Sequence, residues 1–209
     1  MSHLLFPLMV FAGIFVGWCG FMPDFVSEYS LPQLCLYALI MQVGLSLGMR
    51  PDLKSIVKNF NPRLLLLPAC TIIGTLTFTY IATMIFTDEP SADVMAIGSG
   101  FGYYTLSSVL IAQFKEASVG AEAAASVAAI ALLANVVREM IALLSCQYLS
   151  KRGRGEAAIS VAGINSMDVC LPMIVGNGKS SDAQLVSAAL FHGIILEISV
   201  PILISIFCS

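Results

Sequence analysis

Long apolar segments separated by short polar stretches run through the whole chain. A helix that crosses the hydrocarbon core of a membrane needs about 20 apolar residues. Five segments come close to this length, and they lie at about 3–21, 32–49, 64–86, 122–149 and 182–208. Two further apolar segments, 93–114 and 156–176, are interrupted near their middles by glycines and polar side chains. The pattern predicts an all-α polytopic membrane protein with five transmembrane helices and two discontinuous segments.

The composition agrees with a membrane protein. Of the 209 residues, 58% are hydrophobic and 11% are charged, whereas a soluble domain carries about 25% charged residues. The formal net charge is −3 and no long basic run is present, which argues against nucleic acid as a partner. We expect a single membrane domain over residues 1–209 that is surrounded by the lipid bilayer.

The charges between the apolar segments predict how the segments are oriented. Loops on the cytoplasmic side of a membrane are enriched in lysine and arginine. The loop at 50–63 is basic and the loops on either side of it are acidic, which places the N-terminus in the cytoplasm. The basic cluster at 151–154 is then cytoplasmic only if segment 93–114 enters from the outer face and returns to it.

We therefore expect two re-entrant hairpins that dip into the membrane from opposite faces. Segment 93–114 enters from outside, segment 156–176 enters from the cytoplasm, and the C-terminus lies outside, in the periplasm. Paired interrupted segments of this kind are typical of the binding sites of secondary transporters. The alternative is seven plain helices whose glycines serve helix packing.

The first interrupted segment has three glycines within residues 98–102, followed by two tyrosines and three hydroxyl side chains. Irregular backbone at membrane depth is tolerated only where protein covers it or where it lines a wet cavity. We expect the glycines to let the backbone approach a ligand that the polar side chains contact. The candidate binding residues of this segment are Gly100, Gly102, Tyr103, Tyr104, Ser107 and Ser108.

The second interrupted segment carries Asn165, Ser166 and Asp168 near its centre. The functional interpretation of Asp168 is a ligand for a substrate ammonium group. A structural alternative is an N-cap for the half-helix that begins near Cys170, and the two roles are compatible.

Ionisable side chains inside apolar segments are functional candidates because each is costly in lipid. Glu139 is the strongest candidate, since Asn135 and several small residues share its helical face. A carboxylate that holds either a proton or a cation, but not both, is suited to proton antiport. The alternative is a structural ion pair with Arg138 or another span. Arg138 itself projects about 100° away from Glu139, so we expect it to pair elsewhere or to reach a backbone carbonyl.

His192 and Glu197 lie on the last predicted span, a little more than one helical turn apart. They face either the same site or a partner helix, and structural and functional roles remain equally open for them.

No enzyme activity, cofactor or metal is expected. The six cysteines are scattered without a C-x-x-C spacing, and only His3 and His192 are available as imidazole ligands, so the cysteines are interpreted as small packing residues. The zinc-protease, P-loop and serine-hydrolase motifs are all missing. The motifs of intramembrane aspartyl and serine proteases are missing as well.

Four motifs in the right order resemble those of the bacterial lysine exporter family. Residues 98–107 read GSGFGYYTLS and look like its GFGWYSLSG-type signature. Residues 135–142 look like its N-x-x-R-E-x-x-A helix, and residues 166–172 look like its S-M-D-x-x-L-P segment. The run HGIIL at 192–196, followed by VPIL at 200–203, resembles its final helix.

The resemblance implies export of L-lysine and toxic lysine analogues from the bacterial cytoplasm across the inner membrane, in exchange for protons. The family's important membrane glutamate falls on Glu139. In the scheme that the resemblance suggests, Glu139 and Asp168 meet the two ammonium groups, while Ser107, Ser108 and half-helix N-termini meet the carboxylate. Tyr103 and Tyr104 line the aliphatic stem or gate it.

Family members of usual length carry about three further N-terminal spans with a second important acid. The expected partner is therefore a separate short membrane protein that supplies these spans, so that this chain is the larger part of a split transporter. A homo-oligomer is the other assembly that remains open. The alternative functions are transport of another solute, such as sodium or an organic anion, and a non-transporting membrane binding subunit.

Overall fold

The computed structural model describes residues 62–85, 90–175 and 182–209, together with Met41 and Leu45, which are both helical. The chain separates into two compact units, residues 1–43 and 44–209. Apart from Met41, all the described residues belong to the second unit. The predicted spans at 3–21 and 32–49 lie outside the described residues except at those two positions, and the single membrane domain stays a prediction.

The described backbone is helical, and no strand occurs in the ranges given above. The helices are α1 (Leu66–Ile85), α2 (Ser91–Gly98), α3 (Tyr104–Val119), α4 (Ala121–Lys151), α5 (Gly155–Ala162), α6 (Leu171–Val175) and α7 (Asp182–Cys208). A 3₁₀ turn at Pro62–Leu65 precedes α1, and a second one at Gly163–Met167 follows α5. These elements confirm the predicted all-α fold.

Three of the described helices are long and apolar enough to cross a membrane: α1, α4 and the part Gln184–Cys208 of α7. They coincide with the segments predicted as spans at 64–86, 122–149 and 182–208. Large apolar side chains are exposed on α1 and α4, among them Phe78 and Leu144. Such surfaces suit contact with lipid, and the chain is a membrane protein.

Helix α7 is the innermost of the three. Half of its most apolar stretch is buried, compared with 17% in α1 and 22% in α4. It packs against both of the interrupted segments as well as α1. A helix that is mostly apolar around its circumference can be buried in this way because few of its side chains require water.

The first broken segment consists of α2, an irregular stretch at 99–103, and α3. Asp93, in the first turn of α2, forms an ion pair with Lys115, which lies 22 residues later near the end of α3. A continuous helix would separate these residues by about 33 Å. The chain therefore turns back on itself, and the far ends of α2 and α3 meet.

The second broken segment consists of α5, the 3₁₀ turn at Gly163–Met167, and α6. The hydroxyl of Ser150, at the end of α4, donates a hydrogen bond to the carbonyl oxygen of Ile174 at 2.5 Å, across 24 residues. A straight helix would place them about 36 Å apart. This segment also returns to its starting point, whereas the depth to which either segment enters the bilayer stays a prediction.

A core of small side chains holds the second broken segment against α4 and α7. Its members are completely or almost completely buried: Ala142, Cys146, Ala158, Ile159, Ala162, Cys170, Ile174 and Ala189. Small residues let helix backbones approach closely, which is how helices associate in a membrane. The buried Cys146 and Cys170 are free thiols that pack here.

Candidate functional site

The two broken segments touch at their tips. The backbone N–H of Ile164 donates a hydrogen bond to the carbonyl oxygen of Phe101 at 3.2 Å. Phe101 is completely buried and has a φ of 46°, an uncommon conformation for a residue other than glycine. The sequence predicts both interruptions, and the structure adds this direct contact between them.

Glycine is required at the contact point in the second tip. Gly163 has a φ of 62°, and a Cβ atom at this position would overlap the carbonyl oxygen of Phe101. Only a residue without a side chain accepts both the conformation and the close approach.

Asn135 of α4 clamps the first tip. Its Oδ1 accepts a hydrogen bond from the backbone N–H of Gly102 at 2.8 Å. Its Nδ2 donates to the carbonyl oxygens of Ala131 at 2.9 Å and Ile97 at 3.3 Å, and it lies 3.5 Å from the hydroxyl oxygen of Ser107. Both ends of this buried amide are therefore bound to the protein.

The glycines of the first tip make room for this clamp. A Cβ atom on Gly100 would overlap the amide of Asn135. Gly102 has a φ of 91° and presents its N–H to the same amide. In this structure the two glycines bring the tip backbone close to Asn135 of α4, and their approach to a ligand stays a prediction.

Arg138 contacts both tips from α4. The guanidinium carbon lies 5.5 Å from the centre of the Phe101 ring, within range of a cation–π interaction. Its Nη2 atom is 3.6 Å from the position that a Cβ on Gly163 would occupy. The expected partner of Arg138 was a charge or a carbonyl oxygen, and the partner found here is an aromatic ring.

Glu139 lies on the buried face of α4, next in sequence to Arg138. Asn135, Ala142 and Cys146 on the same face are buried, and Glu139 is half-buried. Its carboxylate is within electrostatic range of the Cys170 thiol in the second broken segment. No ion pair between Glu139 and Arg138 is found within the part of the chain that the structure describes.

A second group of polar side chains gathers around Tyr103. The phenol of Tyr103 lies within electrostatic range of the carboxylates of Glu197 and Asp168. Glu197 is buried on α7, and Asp168 is exposed just beyond the second tip. The backbone oxygen of Asp168 accepts a hydrogen bond from the N–H of Leu171, the first residue of α6. The tip of the first broken segment is therefore within electrostatic range of acidic side chains from two other parts of the chain.

His192 links α7 to α1 and to the second tip. It is completely buried, and its Nε2 lies 3.0 Å from the hydroxyl oxygen of Thr71, which is 121 residues away in sequence. Its Nδ1 lies 3.3 Å from the hydroxyl oxygen of Ser166. Thr71 is in turn 2.8 Å from the hydroxyl oxygen of Ser160, and Ser166 donates to the carbonyl oxygen of Ala189. The result is a continuous hydrogen-bonded chain through a buried imidazole.

The other candidate residues lie around the same junction. Ser107 and Ser108 donate hydrogen bonds to backbone carbonyl oxygens of their own helix. Tyr104 is half-buried as the first residue of α3. The Nδ2 atom of Asn165 is buried, has no hydrogen-bond partner among the described residues, and faces Gly102. It is a donor available at the junction.

An open cavity of about 730 Å³ lies between α1, α2, α4 and α5. Three threonines line it at a spacing of four residues, Thr71, Thr75 and Thr79, together with Arg138 and Ser160. The sequence interpretation did not include these hydroxyl groups, although the repeated spacing on one face of an apolar helix is visible in the sequence. No cluster of three or more metal-ligating groups occurs among the side chains that the structure describes, those of residues 64–85, 90–175 and 184–209.

Comparison with known proteins identifies the family. The family model described as lysine exporter LysO matches residues 7–208. The lysine exporter LysO of Escherichia coli K12 is 33% identical over 184 residues, which cover 87% of this chain and 54% of that protein. A protein of Haemophilus influenzae named "Putative lysine exporter" is 27% identical over 211 positions, covering all of this chain and 98% of that protein.

The chain therefore spans about half the length of the E. coli relative and almost the whole length of the H. influenzae relative. No solved structure matches it. The family match covers nearly the whole chain and agrees with the four sequence motifs, which lie on α2–α3, α4, the second tip and α7. The chain belongs to the LysO family of lysine exporters.

Proposed function

We propose that this protein exports L-lysine and lysine analogues from the cytoplasm, in exchange for protons, across the bacterial inner membrane. The observation that carries the proposal is the contact between the tips of two broken segments, beside the charged side chain of Arg138 on α4, in a chain of the LysO family. The N-terminus is cytoplasmic and the C-terminus periplasmic in this proposal, and the two broken segments enter the membrane from opposite faces.

The tip junction is suited to a transport site because its backbone is irregular. Broken helices leave N–H and C=O groups that a regular helix would use internally, and transporters bind solutes with such groups. A single 3.2 Å backbone hydrogen bond joins the two tips. A contact of this size contributes about 1 kcal/mol, which a bound substrate or proton can offset.

Acidic side chains near the junction supply the charge that lysine requires. Lysine carries two ammonium groups, and we assign one to Glu139 and the other to Asp168. Glu139 is half-buried beside the second broken segment, while Asp168 is exposed next to Tyr103. Tyr103 and Tyr104 line the aliphatic stem, and Asn165 and Ser166 complete the site from the second tip.

Glu139 is also the proposed site of proton exchange. A carboxylate cannot hold a proton and an ammonium ion at the same time, so release of one makes binding of the other possible. Antiport follows if the site opens to the other side of the membrane only when a proton or an ammonium group is bound to it. Asn135, Gly100 and Gly102 act in this proposal as positioning residues, because they hold the first tip against α4.

The test is replacement of Glu139 by Gln, with Glu122→Gln as the matched control. Glu122 lies at the exposed start of the same helix, far from the tips. Cells that depend on this protein should become sensitive to a toxic lysine analogue with Glu139→Gln and stay resistant with Glu122→Gln, at equal abundance in the membrane. Retained export with Glu139→Gln contradicts the assigned role.

Counterflow experiments identify the solute. Membrane vesicles loaded with unlabelled L-lysine should accumulate labelled lysine, whereas sodium or organic anions inside should not drive this uptake. Collapse of the pH gradient should slow net export without slowing lysine–lysine exchange. If sodium or an organic anion inside the vesicles drives the uptake instead, the result favours the alternative function, transport of that solute.

We further propose that a separate short membrane protein joins this chain to form the transporter. The support is the length of the E. coli relative, of which this chain matches 54%. The H. influenzae relative differs from the E. coli protein in this respect, because this chain matches 98% of its length. Purification of the tagged chain under mild detergent should recover a second short membrane protein, whereas a pure homo-oligomer that exports lysine would contradict the proposal.

A further inference from the structure

The cavity between α1, α2, α4 and α5 has the chemistry of an anion site. Its lining residues include Arg138, which carries the guanidinium, and four residues that carry hydroxyls: Thr71, Thr75, Thr79 and Ser160. None of its described lining residues is acidic. A guanidinium has five N–H donors and no acceptor, so the charged group that complements this cavity is negative.

Two of the threonines are available to a ligand. The hydroxyl of Thr71 is already engaged with Leu67, Ser160 and His192. Thr75 and Thr79 follow at intervals of four on the same face of α1 and also line the cavity. Neither hydroxyl makes a hydrogen bond to any described residue, unlike Thr71 and Thr83 on the same helix.

Arg138 lacks a carboxylate partner in the described part of the chain. A charged side chain within a membrane protein pairs with an opposite charge or marks a substrate pathway. The Phe101 ring covers one side of the guanidinium at 5.5 Å. Stacking on an aromatic face leaves the edge of the guanidinium, where its N–H groups point, free to form paired hydrogen bonds with a carboxylate.

We propose that this cavity binds the carboxylate of the transported amino acid, with Arg138 as the anion-binding group and Thr75 and Thr79 as additional donors. The inference rests on the proposed lysine export. It assigns a binding site to the carboxylate of lysine, which the acidic residues cannot bind. It replaces Ser107 and Ser108 as carboxylate ligands, because their hydroxyls already donate to backbone carbonyl oxygens.

This site is directly connected to the tip junction. Arg138 contacts the Phe101 ring in the first tip and approaches Gly163 in the second. The cavity also includes Ile97, whose carbonyl oxygen accepts a hydrogen bond from Asn135. A carboxylate that draws Arg138 towards the cavity therefore changes the contacts of both tips, which links recognition of the substrate to rearrangement of the junction.

The test compares three ligands that differ only at the carboxylate end. L-Lysine has the carboxylate, L-lysinamide has a neutral amide, and cadaverine has no group there. Equilibrium binding is measured on the full chain, purified in mild detergent together with any membrane protein that copurifies with it. It should favour lysine over the other two by about tenfold to a hundredfold, the range for loss of a charged hydrogen-bonded contact. Arg138→Gln should remove this preference by weakening lysine alone.

Arg152→Gln is the matched control. Arg152 also stacks on an aromatic ring, that of Tyr148 at 4.2 Å, but it is exposed and lies outside the cavity. Its variant should keep the full preference for lysine. If Arg138→Gln does not yield folded protein, the double variant Thr75→Val with Thr79→Val replaces it, with Thr77→Val on the exposed side of α1 as its control.

The outcomes separate the inference from the proposed function. Loss of the preference for lysine in the cavity variants, with the controls unchanged, supports the carboxylate site. A preference that persists in Arg138→Gln, or in the double threonine variant if that is the one tested, overturns the site while leaving lysine export intact. If the unaltered chain in this preparation binds none of the three ligands, the result contradicts the proposed function and overturns the inference with it.

Discussion

Gly163→Ala is the sharpest test of the contact between the two tips. The added methyl group meets the carbonyl oxygen of Phe101, which is backbone and cannot rotate away. Displacement of this oxygen breaks its 3.2 Å hydrogen bond with the N–H of Ile164. Gly163 also has φ 62° and ψ −130°, a conformation that side chains disfavour.

The structure allows the size of the effect to be worked out. The unfavourable backbone conformation costs about 1–3 kcal/mol, and loss of the buried hydrogen bond costs about 0.5–1.5 kcal/mol. We expect Gly163→Ala to lower the free energy of unfolding by about 2–4 kcal/mol in total. Export should fall more than abundance in the membrane, because the same change separates the tips.

Gly153→Ala is the control that isolates the contact. Gly153 also has a positive φ, 72°, but no neighbouring atom lies within 4 Å of a Cβ placed there. It should show a backbone cost of about 1–2 kcal/mol and normal export. Equilibrium unfolding in mixed micelles and efflux of labelled lysine measure the two quantities. Equal loss of stability in both variants, with export retained in both, would refute the reasoning about the tip contact.

Three further predictions concern other buried contacts of the protein. Asn135→Ala leaves the N–H of Gly102 without its acceptor and should lower the free energy of unfolding by about 1–3 kcal/mol, as measured in mixed micelles. His192→Leu and Thr71→Val remove the two partners of one buried hydrogen bond, so a double-mutant cycle should give a coupling energy of about 0.5–3 kcal/mol; additive effects would contradict the contact. Lys115→Met leaves Asp93 without its partner and should destabilise the protein by about 3–5 kcal/mol, and the second change Asp93→Leu should restore much of the loss in the same unfolding assay.

The long helices and the two interruptions were predictable because their signals are local. A run of about 20 apolar residues identifies a span without reference to the rest of the chain. Glycines and polar residues within an apolar segment likewise show where a helix breaks. The described bounds of α1, α4 and α7 accordingly lie within a few residues of the predicted segments. The family motifs are local as well, so the sequence alone shows the resemblance to lysine exporters, and the family comparison confirms it.

The partners of the site residues were not predictable. Helical geometry separated Arg138 from Glu139 by about 100°, but it could not show that Arg138 meets the ring of Phe101. The spacing of Asn135 and Glu139 suggested a shared ligand face, whereas the amide of Asn135 is bound to protein at both ends. The threonines of α1 were not predicted as site residues, because the cavity that they line forms only when four helices pack together.

By itself, the sequence determined that this is an all-α membrane protein of the LysO family with two broken segments and few intramembrane charges. The loop charges already predicted that each broken segment returns to the face it enters. Only the tertiary structure decided that the tips meet at Phe101 and Gly163, and that His192 reaches Thr71 across 121 residues. The reason is physical. Hydropathy and glycine content act on neighbouring residues, whereas the contacts of the site depend on how distant segments pack against α4 and α7.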